Sequence, residues 1–302
     1  MPSLVTTLRQ LLAQADALFE AGRIGQARTC YEDVLQRAQE KADRASEVVA
    51  RSMLARIHLK RRDMDAAREE LQLAAQFLDP LHLESHGRYR MVLARLAVAE
   101  SPDDVGEQEL LAYLHWAEEQ GAHEQVIDAC LLLAVRGDRD EQVRWLRRAI
   151  DYGLDHRVER RIGEAYMQLG ALLDEATRYD DALEAYQQAL HWHRRRGAPR
   201  QMVAAAWAVG AVACRLEDYP LARTRLDEAV EAAEQADETC GDLLALALAD
   251  LAVVYEAAGD VVEARRLLLR SSVLAREQDL PRFWPDRWRD MVAHAKRLEL
   301  EL

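Results

Sequence analysis

The sequence predicts an all-α fold in which antiparallel helix pairs are stacked in series. Half of the 302 residues are hydrophobic and 31% are charged, whereas only 6% are aromatic and 13 are glycine. This composition is typical of helical proteins rich in Ala, Leu, Glu and Arg. Apolar side chains recur at helical spacing, and a pattern of small residues returns about every 40 residues, as in a repeat protein.

The clearest helix pair lies between Glu164 and Leu190. Gly170 falls on the apolar face of a first helix, a turn is predicted at Thr177–Arg178, and Ala182 and Tyr186 fall on the inner face of a second helix. Because Gly170 and Ala182 are small, we expect the two helices to come closest there, with Tyr186 filling the space one turn further on.

The position that Ala182 occupies in the second helix has a counterpart in each repeat along the chain. It falls at Ala27, Ala67, near Ala112, Gln142, Ala182, Ala222 and Ala264. The steps between Ala67 and Gln142 are uneven, and Ser101–Asp104 reads as a longer loop in which Ser101 or Asp104 caps the next helix. We therefore expect a departure from the regular stack over residues 80–120. The apolar face of the following helix is predicted to be Leu110, Leu111, Leu114 and Trp116.

The segment Glu164–Leu190 resembles a tetratricopeptide repeat, in a long-period form similar to the arrays found in bacterial transcriptional activators and signal-transduction ATPases. The resemblance implies an α-solenoid, a right-handed superhelix of about seven helix pairs over residues 1–280. Residues 281–302 are then a capping helix, because a solenoid must cover its last apolar face. Within this tail, Phe283 and Trp284 are interpreted as packed beneath the cap, the alternative being an exposed aromatic docking site.

The resemblance also implies that a partner binds to the concave face, which first helices line. The candidate contacts are Asp128, Leu131, Met167, Asp174, Trp207, Asp250, Val253 and Glu256. Apolar side chains beside carboxylates suit a peptide or amphipathic helix that carries basic residues. A shift of one residue in the helical frame would instead bury Trp207 between helices. The first half offers a more mixed set that includes Asp16, Phe19, Arg56 and Lys60.

We therefore expect a non-catalytic scaffold or adaptor with a regulatory role. The alternatives are a structural subunit of an assembly or homodimer, and a repeat protein that senses a small ligand. Tetratricopeptide domains that clamp the C-terminal carboxylate of chaperones use Lys and Asn side chains, but this chain has no Asn and only Lys41, Lys60 and Lys296. The clamp is therefore disfavoured.

Other function classes find little support in the sequence. A formal net charge of −13 disfavours nucleic acid as a partner, although Arg194–Arg196 form a basic run. His82 and His86 have a spacing that can share a metal ion, but no further ligand is evident, and no motif of a catalytic nucleophile or phosphate loop is found. We predict no cofactor, no metal and no enzymatic activity.

The expected location is the bacterial cytoplasm. The first ten residues lack the basic start and apolar run of a signal peptide, and uncharged apolar runs such as 243–249 are too short to span a membrane. The four cysteines are widely separated in sequence, which predicts reduced packing residues.

Overall fold

A computed structural model of the chain describes residues 7–101, 104–236 and 240–301. These residues form sixteen α-helices and no β-strand, which confirms the all-α prediction. Within the same ranges, no helix is both long and apolar enough to cross a lipid bilayer. The chain divides into two compact units, Met1–Val158 (unit 1) and Glu159–Leu302 (unit 2).

Unit 1 consists of helices joined by short turns, with each first helix packed on its second helix. The helices are α1 (Leu8–Glu20), α2 (Ile24–Glu40), α3 (Arg44–Lys60), α4 (Met64–Ala75), α5 (Leu83–Glu100), α6 (Asp104–Glu119), α7 (His123–Leu133) and α8 (Arg139–Asp155). The first helices α3, α5 and α7 also contact one another in sequence, so that they form a continuous row. This row is called the inner row of unit 1.

Unit 2 repeats the arrangement with three hairpins and a terminal segment. Its helices are α9 (Glu159–Glu175), α10 (Tyr179–Arg196), α11 (Pro199–Arg215), α12 (Tyr219–Gln235), α13 (Gly241–Ala257), α14 (Val261–Glu277), α15 (Leu280–Phe283) and α16 (Pro285–Arg297). Helices α11 and α13 pack side by side, and α16 packs on α14. The first helices α9, α11 and α13, together with α16, are called the inner row of unit 2.

The turn at Thr177–Arg178 is confirmed, and its geometry explains how these hairpins reverse direction. Thr177 adopts a left-handed conformation with φ 58°, which closes the end of α9. The N–H of Arg178 then donates to the carbonyl of Leu173 at 2.9 Å, which satisfies a carbonyl that the helix end leaves without a partner. Arg62 and Glu217 occupy the same conformation in other turns.

The predicted close approach of α9 and α10 is also confirmed. A Cβ atom built on Gly170 would lie 2.6 Å from the ring of Tyr186, and Ala182 is fully buried. A side chain at position 170 would therefore displace the ring. The two helices of the next hairpin come equally close, because a Cβ on Gly210 would lie 2.6 Å from Leu226.

The predicted apolar face of α6 is partly wrong. Leu110, Leu114 and Trp116 are buried, but Leu111 is 39% exposed. Leu111 points about 100° away from the buried Leu110, and on this side of α6 the side chain is left at the surface. Ser101 is the C-cap of α5, and its N–H donates to the carbonyl of Ala97. The predicted loop residues 102–103 and the side chain of Asp104 lie outside the described residues.

The aromatic residues of the terminal segment are more exposed than the sequence analysis predicted. Met291, Ala295 and Leu298 of the α16 segment are buried against unit 2. Phe283 is 66% exposed, so it is not packed beneath α16, and Trp284 is 40% exposed. The reason is local, since Trp284 is the residue at which α15 ends and α16 begins, and both aromatic side chains lie at that junction rather than on the buried face.

Unit 1 contains a buried charged network that the sequence analysis did not identify. Glu47 is 1% exposed and accepts hydrogen bonds from Gln39 at 3.2 Å, Arg44 at 2.9 Å and Arg51 at 3.2 Å. Arg51 also donates to Glu70 at 2.9 Å. Burial alone would raise the pKa of Glu47, but the hydrogen bonds from these donors outweigh it, so the pKa is lowered.

Candidate functional site

A groove opens between α13 and α16 in unit 2. Its volume is about 290 Å³, at the small end for ligand sites. The apolar part of its lining comes from Leu246, Ala249, Val253 and Met291. The polar part comes from Asp250 on α13 and from Arg287, Asp290, His294 and Arg297 on the α16 side. This α13–α16 groove combines apolar walls with a few fixed polar groups.

Helix α16 is positioned by its sequence. Pro285 occupies the first turn, where its missing N–H costs no hydrogen bond, and its fixed φ suits a helix start. Asp286 lies in the first turn and His294, Lys296 and Arg297 lie in the last, so the charges favour the helix dipole at both ends. Arg287, Asp290, Met291 and His294 are three or four residues apart in turn, so they share the face of α16 that borders the groove.

Asp250 is the centre of the polar contacts. Arg287 donates through Nη2 to both of its carboxylate oxygens, at 2.7 and 2.6 Å, and Trp207 donates through Nε1 at 2.8 Å. The two charged side chains are only 23% and 14% exposed. The charge of Asp250 in turn raises the pKa of Arg287, which keeps the guanidinium protonated.

Trp207 is half-buried, with one part packed on the core of unit 2 and its Nε1 directed to Asp250. Trp284 meets its ring edge-to-face with centroids 6.1 Å apart, and the guanidinium carbon of Arg287 lies 5.6 Å from the ring centroid. Trp207 therefore joins α11, α13 and the α15–α16 junction.

The remaining predicted contacts of unit 2 lie on the same inner row. Asp174 is 2.9 Å from Arg215. Burial raises the pKa of Asp174, while Arg215 and Arg287 oppose that shift. Glu256 lies 3.0 Å from Nε2 of His294 and 3.6 Å from Arg297. Burial lowers the pKa of His294, and Glu256 acts in the opposite direction. Met167 is half-buried against the core.

Asp128 and Leu131 belong to unit 1, on α7. Asp128 is half-buried, whereas Leu131 is 6% exposed and part of the packed interior. Elsewhere in unit 1, Asp16 on α1 accepts hydrogen bonds from both terminal guanidinium nitrogens of Arg88 on α5, at 2.7 and 2.6 Å, and from the hydroxyl of Tyr31 at 2.6 Å.

The sequence analysis missed that these carboxylates are paired within the chain. Asp16, Asp174 and Asp250 are each joined to an arginine of another first helix or of α16. A fourth pair, Arg200 with Asp242 at 2.8 and 2.6 Å, links α11 to α13. In the sequence, these pairs are marked only by an arginine that follows each of the three aspartates by 37 to 72 residues. Such variable spacing does not identify the pairs unless the fold is known.

The two histidines with metal-ligand spacing have other contacts. His82 caps α5, accepting from Ser85 N–H at 3.5 Å, and the ring of His86 lies 5.1 Å from that of Trp116. Among the residues that the structure describes, no three His, Cys, Asp or Glu side chains are grouped as metal ligands.

Comparison with known proteins agrees with the hairpin geometry. A sequence profile of the tetratricopeptide repeat family matches residues 201–277, which span α11 to α14. A search of curated protein sequences finds no match. The protein thus contains tetratricopeptide repeats.

Solved structures with the same fold cover almost the whole chain. A signal-transduction ATPase with a tetratricopeptide repeat sensor, from Pyrococcus horikoshii, has a TM-score of 0.67 at 14% identity, over 94% of this chain and 43% of that protein. The apo form of RapI has a TM-score of 0.65 at 12% identity, over 95% of this chain and 85% of RapI. A Rap protein complexed with competence and sporulation factor has a TM-score of 0.56 at 14% identity, over 90% and 77%. At these identities the likeness establishes an α-solenoid fold.

Proposed function

We propose that the protein is a non-catalytic, regulatory scaffold that binds a peptide segment or helix of a partner protein in the α13–α16 groove. The observation that carries this proposal is the groove itself, in which apolar walls from Val253 and Met291 flank the fixed Asp250–Arg287 pair. Peptide recognition commonly combines such apolar contacts with a small number of oriented polar groups. The exposed Phe283 and Trp284 add aromatic area at the α15–α16 junction.

Similar folds support this role. One related structure is described as a tetratricopeptide repeat sensor, and another is a complex with competence and sporulation factor. Of the contacts predicted from the sequence, Asp250 and Val253 line this groove and are proposed to touch the partner. The other contacts stay predictions, namely Asp128, Leu131, Met167, Asp174, Trp207 and Glu256. A homo-oligomer, the exclusion of nucleic acid and the cytoplasmic location also stay predictions.

The proposed partner need not be basic. Asp174 and Asp250 are paired with Arg215 and Arg287, so a basic side chain of a partner would have to compete with a guanidinium already in place. A segment with an apolar face and mixed charges meets the groove without breaking these pairs.

The test is a quantitative pull-down from a lysate of the source organism with wild type, Val253→Arg and Val262→Arg as baits. Val253 lines the groove, whereas Val262 is 81% exposed on α14 and does not line it. The proposal predicts a partner that Val253→Arg loses and Val262→Arg keeps, with both variants melting cooperatively. Retention of every captured protein by Val253→Arg would exclude the groove as the binding site.

A further inference from the structure

Three aromatic side chains meet in unit 1, at the end of the α7–α8 hairpin where α7 begins and α8 ends. His123 is the first residue of α7, Tyr152 lies in the last turn of α8, and His156 is the residue at which α8 ends. The ring of Tyr152 stacks on that of His156 with centroids 4.0 Å apart, and the centroids of the two histidine rings are 4.4 Å apart. We call these three residues the histidine cluster. Nothing in the proposed function uses it.

Hydrogen bonds occupy one nitrogen of each histidine ring. Nδ1 of His156 lies 3.0 Å from the carbonyl oxygen of Tyr152. A carbonyl oxygen can only accept, so Nδ1 carries the proton, and in the neutral ring the lone pair is on Nε2. Nδ1 of His123 lies 2.8 Å from the hydroxyl oxygen of Tyr152, which can accept in the same way. Within the part of the chain that the structure describes, Nε2 of neither histidine has a hydrogen-bond partner.

This arrangement of the two rings matches that of histidines that bind metal ions. A metal-bound imidazole usually donates its other N–H to a protein oxygen, which fixes the orientation of the ring. At a metal–nitrogen distance of about 2.0–2.1 Å, two imidazoles on one ion have centroids about 4.5 Å apart in right-angled coordination and about 5.2 Å apart in tetrahedral coordination. The observed 4.4 Å agrees with the right-angled arrangement, which is typical of Cu²⁺. Both side chains are exposed, so an ion can reach them from the solvent.

Other histidines of unit 1 use their ring nitrogens within the chain. Nδ1 of His82 accepts from a backbone N–H at the start of α5, and Nε2 of His86 accepts from Nε of Arg90 at 3.1 Å. Nε2 of His115 lies 3.1 Å from the carboxylate of Glu119 on its own helix. A metal ion would have to displace these partners, whereas the histidine cluster offers two lone pairs that are not in use.

We propose that His123 and His156 bind one divalent transition-metal ion through their Nε2 atoms. Neutral imidazole suits Cu²⁺, Ni²⁺ and Zn²⁺, whereas Mg²⁺ prefers oxygen ligands. Among the described residues no group of three His, Cys, Asp or Glu side chains is placed to hold a metal, so water completes the coordination of the ion. The ion joins the start of α7 to the end of α8 and thereby stabilises this hairpin. The site shares no residue with the α13–α16 groove, and its test does not depend on that groove.

The first experiment is titration calorimetry of the full chain, without a polyhistidine tag, with Cu²⁺, Zn²⁺ and Mg²⁺. The pH is about 7.5, because imidazole must be neutral to bind a metal. Cu²⁺ should bind most tightly, with a dissociation constant below about 0.1 mM, and Mg²⁺ at least about ten-fold more weakly than Zn²⁺. The electron paramagnetic resonance spectrum of the copper complex should show two bound imidazoles. Binding of Mg²⁺ as tight as that of Cu²⁺, or no saturable binding of Cu²⁺, would overturn the proposal.

Two variants test whether the ion binds to the histidine cluster. His123→Gln and His156→Gln each remove one ligand, so each should weaken Cu²⁺ binding at least about ten-fold and leave the spectrum of one imidazole. The matched control is His115→Gln, because the His115 side chain is 74% exposed in the same unit and lies outside the cluster, and it should stay within about two-fold. Melting curves verify that the variants are folded, and Zn²⁺ should raise the melting temperature of the wild type and the control only. Equal losses in the variants and the control would contradict the proposed site.

Discussion

The inner rows of the two units place arginines in contrasting surroundings. In unit 2, Arg200, Arg215 and Arg287 each lie on a carboxylate of a neighbouring first helix. In unit 1, Arg88 forms one such pair with Asp16, but Arg51 lies on Glu47 of its own helix and on Glu70 of α4, the second helix of the same hairpin. The same residue type therefore joins successive hairpins in one place and the two helices of one hairpin in another.

This difference teaches that a charged side chain on a binding row is not by itself a ligand contact. The pairs of unit 2 connect α9 to α11, α11 to α13 and α13 to α16, so they stabilise the order of the hairpins. In unit 1, the pair of Arg51 with Glu70 joins α3 to α4, and Glu47, which is 1% exposed, is held by hydrogen bonds of the same network. The following predictions test this contrast.

The largest effect is expected in the charged interior of unit 1. Arg51→Ala leaves Glu47, which is 1% exposed, without its closest buried cation, and removal of one partner of a buried pair costs about 3–5 kcal/mol. Arg28→Ala is the matched control, because its pair with Glu32 is 39% and 48% exposed and should contribute at most about 1 kcal/mol. Urea unfolding measures both. Similar losses in the two variants would show that Glu47 is not held by Arg51.

Acidification should destabilise unit 2 through a buried histidine. His193 is 3% exposed, and burial, with Arg196, lowers its pKa from 6.5 to about 4. Since the folded pKa is depressed, the contribution of neutral His193 is complete above pH 6.5 and is lost as the pH falls towards 4. At 1.36 kcal/mol per pKa unit the loss is about 3 kcal/mol. The pKa of Glu47 is also lowered, from 4.5, so its loss occurs below that pH.

The measurement is urea unfolding between pH 7 and 4, followed by hydrogen exchange to separate the units. His193→Gln should reduce the pH dependence of the stability of unit 2 in this window. An unchanged slope in this variant would assign the pH dependence to another group.

A smaller effect on stability is expected when one glycine of each unit is replaced by alanine. Gly170→Ala places a Cβ 2.6 Å from Tyr186, and overpacking of this kind costs about 1–3 kcal/mol. Gly25→Ala in α2 meets no atom within 4 Å, so it should be neutral or stabilise by about 0.5–1 kcal/mol, as expected for Gly in a helix. Thermal melting of the two variants gives the comparison. A stable Gly170→Ala would mean that Tyr186 moves without cost.

Local patterns made much of the fold predictable from the sequence. The hairpin of α9 and α10, its turn at Thr177 and the contact of Gly170 with Tyr186 follow from residues within one repeat. The burial of Leu131 and the exposure of Leu111 depend on the rotation of a single helix, where one residue changes the direction of a side chain by about 100°. The pairing of Asp250 with Arg287 depends on the rotation of α13 relative to α16. No local pattern determines that rotation, because the two residues lie 37 positions apart in the sequence.

The contrast between the units is tested most directly by urea unfolding of Arg51→Gln and Arg287→Gln, with hydrogen exchange followed in each unit. Arg51→Gln removes the guanidinium that lies on Glu47 and Glu70, so it should lower the hydrogen-exchange protection of α3 and α4 in unit 1. Arg287→Gln leaves Asp250, which is 14% exposed, without its cation, so it should lower the unfolding free energy by about 1–3 kcal/mol and the protection of α13 and α16 in unit 2. Losses confined to these two helix pairs support the contrast. Equal loss of protection in α13 and α16 by the two substitutions would contradict it.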